Sequence, residues 1–168
     1  MTTTVLRCLA LTALLAITTI PLEAQRRPAA RSTTVASGYR PRIGGHVGYN
    51  LDVEEGLIGA QAAFAIAPKI DLYPSFDIYL VSGGSLWALN LDARYRPPMR
   101  NLVVYVGGGL NYVRASAGGF SASDTKLNLL GGVESNRMRS IAPYVEGRFS
   151  LGDGSSFQIV GGLGFKLR

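Results

Sequence analysis

Cysteine and histidine are nearly absent. One of each, Cys8 and His46, occurs in 168 residues, so no disulfide framework, cysteine-based zinc site or multi-histidine metal site can be built. Charged residues are sparse at 17%, and the formal excess of +6 is concentrated in one place. Residues 25–42 carry Arg26, Arg27, Arg31, Arg40 and Arg42 with no acid. Basic residues interleaved with aromatics, as a nucleic-acid face requires, are absent. No apolar stretch after the first twenty residues is long enough for a spanning helix. A phosphate-cradling loop is lacking as well, because Gly107-Gly-Gly109 sits inside a strand pattern and opens no helix. What the chain does have is 47% apolar residues and 21 glycines. That composition excludes a disordered chain and favours one β-rich domain of short apolar runs broken by glycine.

Residues 1–24 read as a secretory signal peptide, with Arg7 as the basic start, Cys8–Ile20 as an uncharged apolar core and Pro21-Leu-Glu-Ala24 as the cleavage region. Removing it leaves a mature chain without cysteine. Residues 25–41, rich in Arg, Pro, Ala, Ser and Thr without apolar periodicity, are expected to form a disordered basic leader.

Residues 42–168 alternate with period two. Trp87, Leu89, Leu91, Ala93 and Tyr95 fall on one face against Ala88, Asn90, Asp92, Arg94 and Arg96 on the other, a split that no helix produces. Turn chemistry predicts eight strands near 42–52, 56–67, 70–81, 85–96, 101–114, 125–136, 141–151 and 155–167. Short connections make successive strands antiparallel neighbours. Pro74 and Pro143 fall inside predicted strands and suggest a bulge or a strand end. The alanines of the second strand, Ala60, Ala62, Ala63 and Ala65, are poor β formers.

The expectation is an all-β fold, an eight-stranded antiparallel up-and-down transmembrane β-barrel, in which the apolar face meets lipid and the polar face lines a crowded interior. Aromatics near strand ends, Tyr49, Phe64, Phe76, Trp87, Tyr95, Phe149, Phe157 and Phe165, are the expected lipid-facing girdles. Eight strands enclose a lumen only wide enough for their own side chains or one small ligand. His46, Asp92, Arg94, Lys126, Glu134, Glu146 and Arg148 are expected to form a lumenal charge network, with Lys126 and Glu134 placed beside Glu146 and Arg148. Further inward candidates are Arg42, Asp52, Gln61, Asp71, Asp77, Asn90, Arg96, Asn111, Asn128, Gln158 and Lys166. Buried charges must be paired and hydrogen-bonded, and the signs here balance well enough to do so.

The strings Tyr105-Val-Gly-Gly-Gly-Leu-Asn-Tyr112, Leu130-Gly-Gly-Val-Glu134 and Val160-Gly-Gly-Leu-Gly-Phe-Lys-Leu-Arg168 resemble the bacterial outer-membrane β-barrel family of small eight-stranded OmpA- and OmpX-type proteins. The resemblance covers residues 42–168. It implies export to the outer membrane, a salt-bridged plug in the lumen, a monomer in contact with membrane lipid and lipopolysaccharide, and transient engagement of the barrel-assembly machinery. Members usually end in an aromatic residue, whereas this chain ends in Leu167-Arg168. With the mature N-terminus in the periplasm, the connections 53–55, 82–84, 115–124 and 152–154 face outside, and only Ala115–Asp124 is long enough for a substantial surface loop.

No cofactor or metal is expected, and the leading expectation is a non-enzymatic structural or surface protein. Two alternatives stand beside it. A periplasmic lipocalin-like carrier of a small apolar ligand would turn the apolar face inward. A lipid A-modifying enzyme, an architecture that this chain resembles, would need His46 on the lipid-facing surface beside a serine and an acid.

Overall fold

A computed structural model describes residues 41–97 and 99–167. The signal peptide assigned to 1–24 and the leader assigned to 25–41, apart from Pro41, lie outside the described residues. Eight strands follow one another: β1 (Arg42–Asn50), β2 (Glu55–Ala67), β3 (Ile70–Tyr79), β4 (Gly84–Tyr95), β5 (Leu102–Ala117), β6 (Phe120–Ser135), β7 (Ile141–Leu151) and β8 (Ser156–Lys166). Each pairs antiparallel with its neighbours in sequence, and β1 pairs with β8 to close the barrel. Closure gives every strand two partners and leaves no open sheet edge around the wall.

Alternation sets which face points inward. Along β4, Ala88, Asn90, Asp92 and Arg94 are buried while Leu89, Leu91, Ala93 and Tyr95 are exposed. The distribution is that of a soluble protein turned inside out: Arg148 is 1% exposed and Asp77 0%, whereas Val47 is 64% and Val106 57% exposed. Charged groups leave water only when paired, so the polar face is the packed one and the apolar face is the outer wall.

The strand ends depart from the expected bounds most at the fifth connection. Residues 115–124, expected as a surface loop, continue the β5–β6 ladder down to Ala117↔Phe120. Gly118 (φ 58) and Gly119 (φ 85) make the turn. Two consecutive left-handed residues form the type I′ connection whose twist matches that of a hairpin, and glycine adopts them without the Cβ penalty. The first connection begins earlier than expected, because the Asn50 side chain accepts the Asp52 (3.0 Å) and Val53 (3.2 Å) amides and turns the chain there.

Pro143 lies past the last β6–β7 pair, Glu134↔Tyr144, where its missing donor is not called upon. Pro74 departs from expectation, being neither at a bulge nor at a strand end: it keeps register with Leu91 of β4 while the β2–β3 ladder is interrupted between Gln61↔Ser75 and Phe64↔Leu72. The register shift in that ladder sits elsewhere, between Ala65 and Ala67. A proline can remain within a strand when only one of its two ladders gives way.

Candidate functional site in the lumen

The inward side chains form three layers. At the end holding Arg42 and Lys166, Arg42 and Arg96 converge on Glu134 Oε1 at 2.5 and 3.0 Å. Asp71 Oδ2 accepts from Arg96 at 2.9 Å and from Arg94 at 3.4 Å, with Arg42 at 3.5 Å. Three guanidiniums thus share two carboxylates: the planar forks of Arg42 and Arg96 address both, and Arg94 addresses Asp71. The Arg94 guanidinium also lies 3.5 Å from the Tyr73 ring centroid and 4.8 Å from that of Tyr105. This cation–π stacking carries the charge between the end layer and the middle one.

Arg148 organises the middle layer. It donates to Glu146 Oε1 (2.8 Å) and Ser75 Oγ (3.1 Å) and lies 3.5 Å from Asp77 and 3.9 Å from Asp92. Tyr105 donates to the other Glu146 oxygen at 2.9 Å. His46 donates from Nε2 to Asp77 Oδ1 at 2.7 Å, with Nδ1 2.7 Å from Gln61 Oε1. Gly59 makes room for this contact, since a Cβ there would stand 2.6 Å from Asp77 Oδ1 and 2.6 Å from the Phe76 carbonyl.

Toward the other end the lumen is held by neutral groups. Asn111 and Asn128 donate to Asn90 Oδ1 at 2.6 and 2.9 Å, Ser150 donates to Asn128 at 2.9 Å, and Tyr79 donates to Gln158 at 2.9 Å. Near the Arg42 end, Tyr73, Tyr144, Arg94 and Glu134 border a cavity of about 20 Å³. That is room for one water molecule.

No protein-family model matches the chain, and no curated protein matches it. Solved structures do. The N-terminal β-barrel domain of Pseudomonas aeruginosa OprF superposes with a TM-score of 0.61 at 17% identity, covering 76% of this chain and 96% of that one. Neisserial surface protein A gives 0.64 at 14% identity, covering 76% and 97%. Ail, the attachment invasion locus protein of Yersinia pestis, gives 0.55 at 14%, covering 76% and 97%.

The fold is that of the small eight-stranded outer-membrane barrels.

A de novo designed transmembrane β-barrel matches too, with a TM-score of 0.59 at 17% identity, covering 76% and 95%. A designed chain sharing the barrel shows that likeness at this level speaks for architecture, while activity has to be argued from the site.

Within this barrel the predicted network residues separate. His46, Asp92, Glu146 and Arg148 meet in the middle layer, and Arg94 and Glu134 belong to the end layer. Lys126 is a correction. It is half-buried at the far mouth and donates to the Gly154 carbonyl at 2.5 Å, away from Glu146 and Arg148. The reason is register: β6 pairs with β7 only from Leu127↔Leu151 onward, so Lys126 stands just beyond the shared wall.

Two inward candidates are corrected in the same way. Asp52 lies in the exposed first turn, accepting the Phe157 amide at 2.5 Å, and Lys166 reaches Asn136 Oδ1 at 2.7 Å on the rim. Conversely Arg42, Asp71, Asp77 and Arg96 are central to the clusters. They were recognisable as inward residues from their phase but not as members of the network.

Tyr49, Phe64, Phe76, Tyr95, Phe149, Phe157 and Phe165 are exposed on the outer face. Trp87, on the same face, is half-buried between Phe76 and Tyr112, its ring centroid 5.8 and 5.7 Å from theirs. Phe64, Tyr95 and Phe165 stand toward the end holding the first and last described residues; Tyr49, Trp87, Phe149 and Phe157 stand toward the opposite end.

The apolar lumen needed by a lipocalin-like carrier is not formed, because the inward face is charged. His46 lies in the lumen rather than on the outer face, so it does not supply the surface base of a lipid A hydrolase.

Proposed function

We propose that this protein is a non-enzymatic integral β-barrel of a bacterial outer membrane, exported by its signal peptide, with a structural or surface role and a lumen plugged by its own ion pairs. The single observation that carries the reading is the inversion of polarity in a closed barrel: a wall of exposed Val, Ile, Leu and Phe around buried arginines and carboxylates. Such a surface is stable where the surrounding medium is hydrocarbon, and closure satisfies the backbone groups that lipid cannot.

Other observations support the same reading. The exposed aromatics gather toward both ends, as interfacial girdles do. Strands of 9 to 16 residues meet the ~9–11 residues that a tilted spanning strand needs. The layered network, with a cavity of about 20 Å³, favours a plug over a solute pathway. Lipid, including lipopolysaccharide, would surround a single copy of the chain after transient contact with the assembly machinery.

The test is heat-modifiability: the chain from residue 25, refolded into detergent, should run as a compact band that shifts on boiling. A chain that folds fully in buffer without detergent would refute the proposal.

A further inference from the structure

The two mouths of the barrel differ in charge. The connections at the end holding Pro41 and Leu167 are 68–69, 96–101 and 136–140, and they contain no acidic residue. Lys69, Arg100, Arg137 and Arg139 stand there exposed, one or two per connection, so basic groups are distributed around the circumference. None of the four is in an ion pair among the described residues; Lys166, half-buried at the end of β8, is instead held by Asn136 Oδ1 at 2.7 Å and the Met138 carbonyl at 3.2 Å. At the opposite mouth the connections 51–54, 80–83, 118–119 and 152–155 carry Asp52, Glu54 and Asp153 and no basic residue, while the strand ends projecting there add Glu55 and Asp124 against Arg114 and Lys126, so that mouth is acidic on balance.

The second observation is what lies beneath the basic rim. Ile70 and Leu102, at the ends of β3 and β5, are exposed beside it on the apolar outer wall, and Met138 is exposed within the rim itself. Cationic heads around the edge of an apolar band are placed at the depth where lipid headgroups sit, with their aliphatic stems able to lie along the band. Exposed basic groups without protein partners attract anionic headgroups, whose potential falls away within a Debye length of the surface.

From this asymmetry we infer that the basic rim binds anionic phospholipid headgroups, phosphatidylglycerol in character, in the leaflet at the end where the chain enters and leaves the barrel. The inference rests on the membrane-barrel reading and adds a polarity to it: the acidic mouth faces away from the leaflet that the rim grips. Lys69, Arg100, Arg137 and Arg139 carry the contact. The lumenal arginines are committed to Asp71, Glu134 and Glu146 and take no part.

The experiment is an NMR titration of the full chain in zwitterionic micelles with short-chain phosphatidylglycerol, using short-chain phosphatidylcholine, inorganic phosphate and a soluble muropeptide as comparisons. Saturable shifts are expected at the amides of 69–70, 99–102 and 136–140 with phosphatidylglycerol, suppressed by salt, with residues 51–54 and 152–155 unmoved. Neutralising the rim as Lys69→Asn, Arg100→Gln, Arg137→Gln and Arg139→Gln should weaken binding by about fivefold per residue. The inference is overturned by equal shifts with phosphatidylcholine, by shifts confined to residues before 41, or by phosphate or muropeptide moving the rim as strongly. The same samples run unboiled on a gel separate the two proposals: a compact, boiling-sensitive band without lipid preference rejects this one alone.

Discussion

Replacing Arg148 with methionine removes the one cation of the middle layer while roughly conserving volume. Arg148 is 1% exposed and donates to Glu146 at 2.8 Å and Ser75 at 3.1 Å, with Asp77 at 3.5 Å and Asp92 at 3.9 Å. Its loss leaves three buried carboxylates to whatever neutral donors remain: Tyr105 for Glu146, Asn90 for Asp77 and Asn128 for Asp92, with His46 also on Asp77. Breaking a buried ion pair by removing one partner costs ~3–5 kcal/mol, and the two charge-assisted bonds alone account for most of that at ~1.5–3 kcal/mol each. Arg148→Met should therefore destabilise the barrel by ~3–5 kcal/mol.

Urea unfolding from lipid vesicles, followed by the fluorescence of Trp87, the sole tryptophan, gives the measurement. Pairing the change with Glu146→Gln removes one of the stranded charges. The double variant should then be less unstable than the sum of the singles by ~1–3 kcal/mol, the range expected for residues in one network. Strict additivity, or a loss under ~1 kcal/mol for Arg148→Met, within the range of an exposed pair, would refute the account of the middle layer.

Three further outcomes are expected. Gly59→Ala should cost ~1–3 kcal/mol by overpacking, since its Cβ would meet Asp77 Oδ1 at 2.6 Å, whereas Gly131→Ala, whose nearest neighbour is 3.8 Å away, should be neutral or stabilising in the same unfolding assay. Replacing Gly118 and Gly119 together by alanine should cost ~1–2 kcal/mol per left-handed position and raise protease cleavage in the β5–β6 hairpin. Leu91→Arg, in the central part of β4 on the outer face, should destabilise the lipid-folded protein by ~2–4 kcal/mol, a cost that an exposed leucine in water would not show.

Much of this architecture was legible because each strand separates two media. β4 and β8 alternate cleanly since one face meets the lumen and the other the outside, and that contrast writes itself into the sequence with period two. The extension of β5 and β6 was not legible by the same signal. From Ala115 to Thr125 every residue but the half-buried Ser116 is exposed, so nothing forces alternation, and Gly118-Gly119 was the only local mark of a tight turn.

The network was legible in membership but not in pairing. Phase along a strand says that Asp77 and Arg148 both point inward, yet their meeting spans 71 positions and joins β3 to β7 across the lumen. Barrel stagger, which fixes such encounters, is a property of the closed sheet and not of any one strand. Lys126 shows the same limit from the other side: correct phase, but at a level where β6 has already left β7.

The central claim is that the apolar face of this barrel is its lipid contact, and Trp87 reports on it directly. Folded into vesicles containing brominated lipid, the protein should show Trp87 emission quenched by bromine attached to the acyl chains. Emission unaffected by brominated lipid, in a protein that stays folded without detergent, would contradict the account and place the apolar face against protein instead.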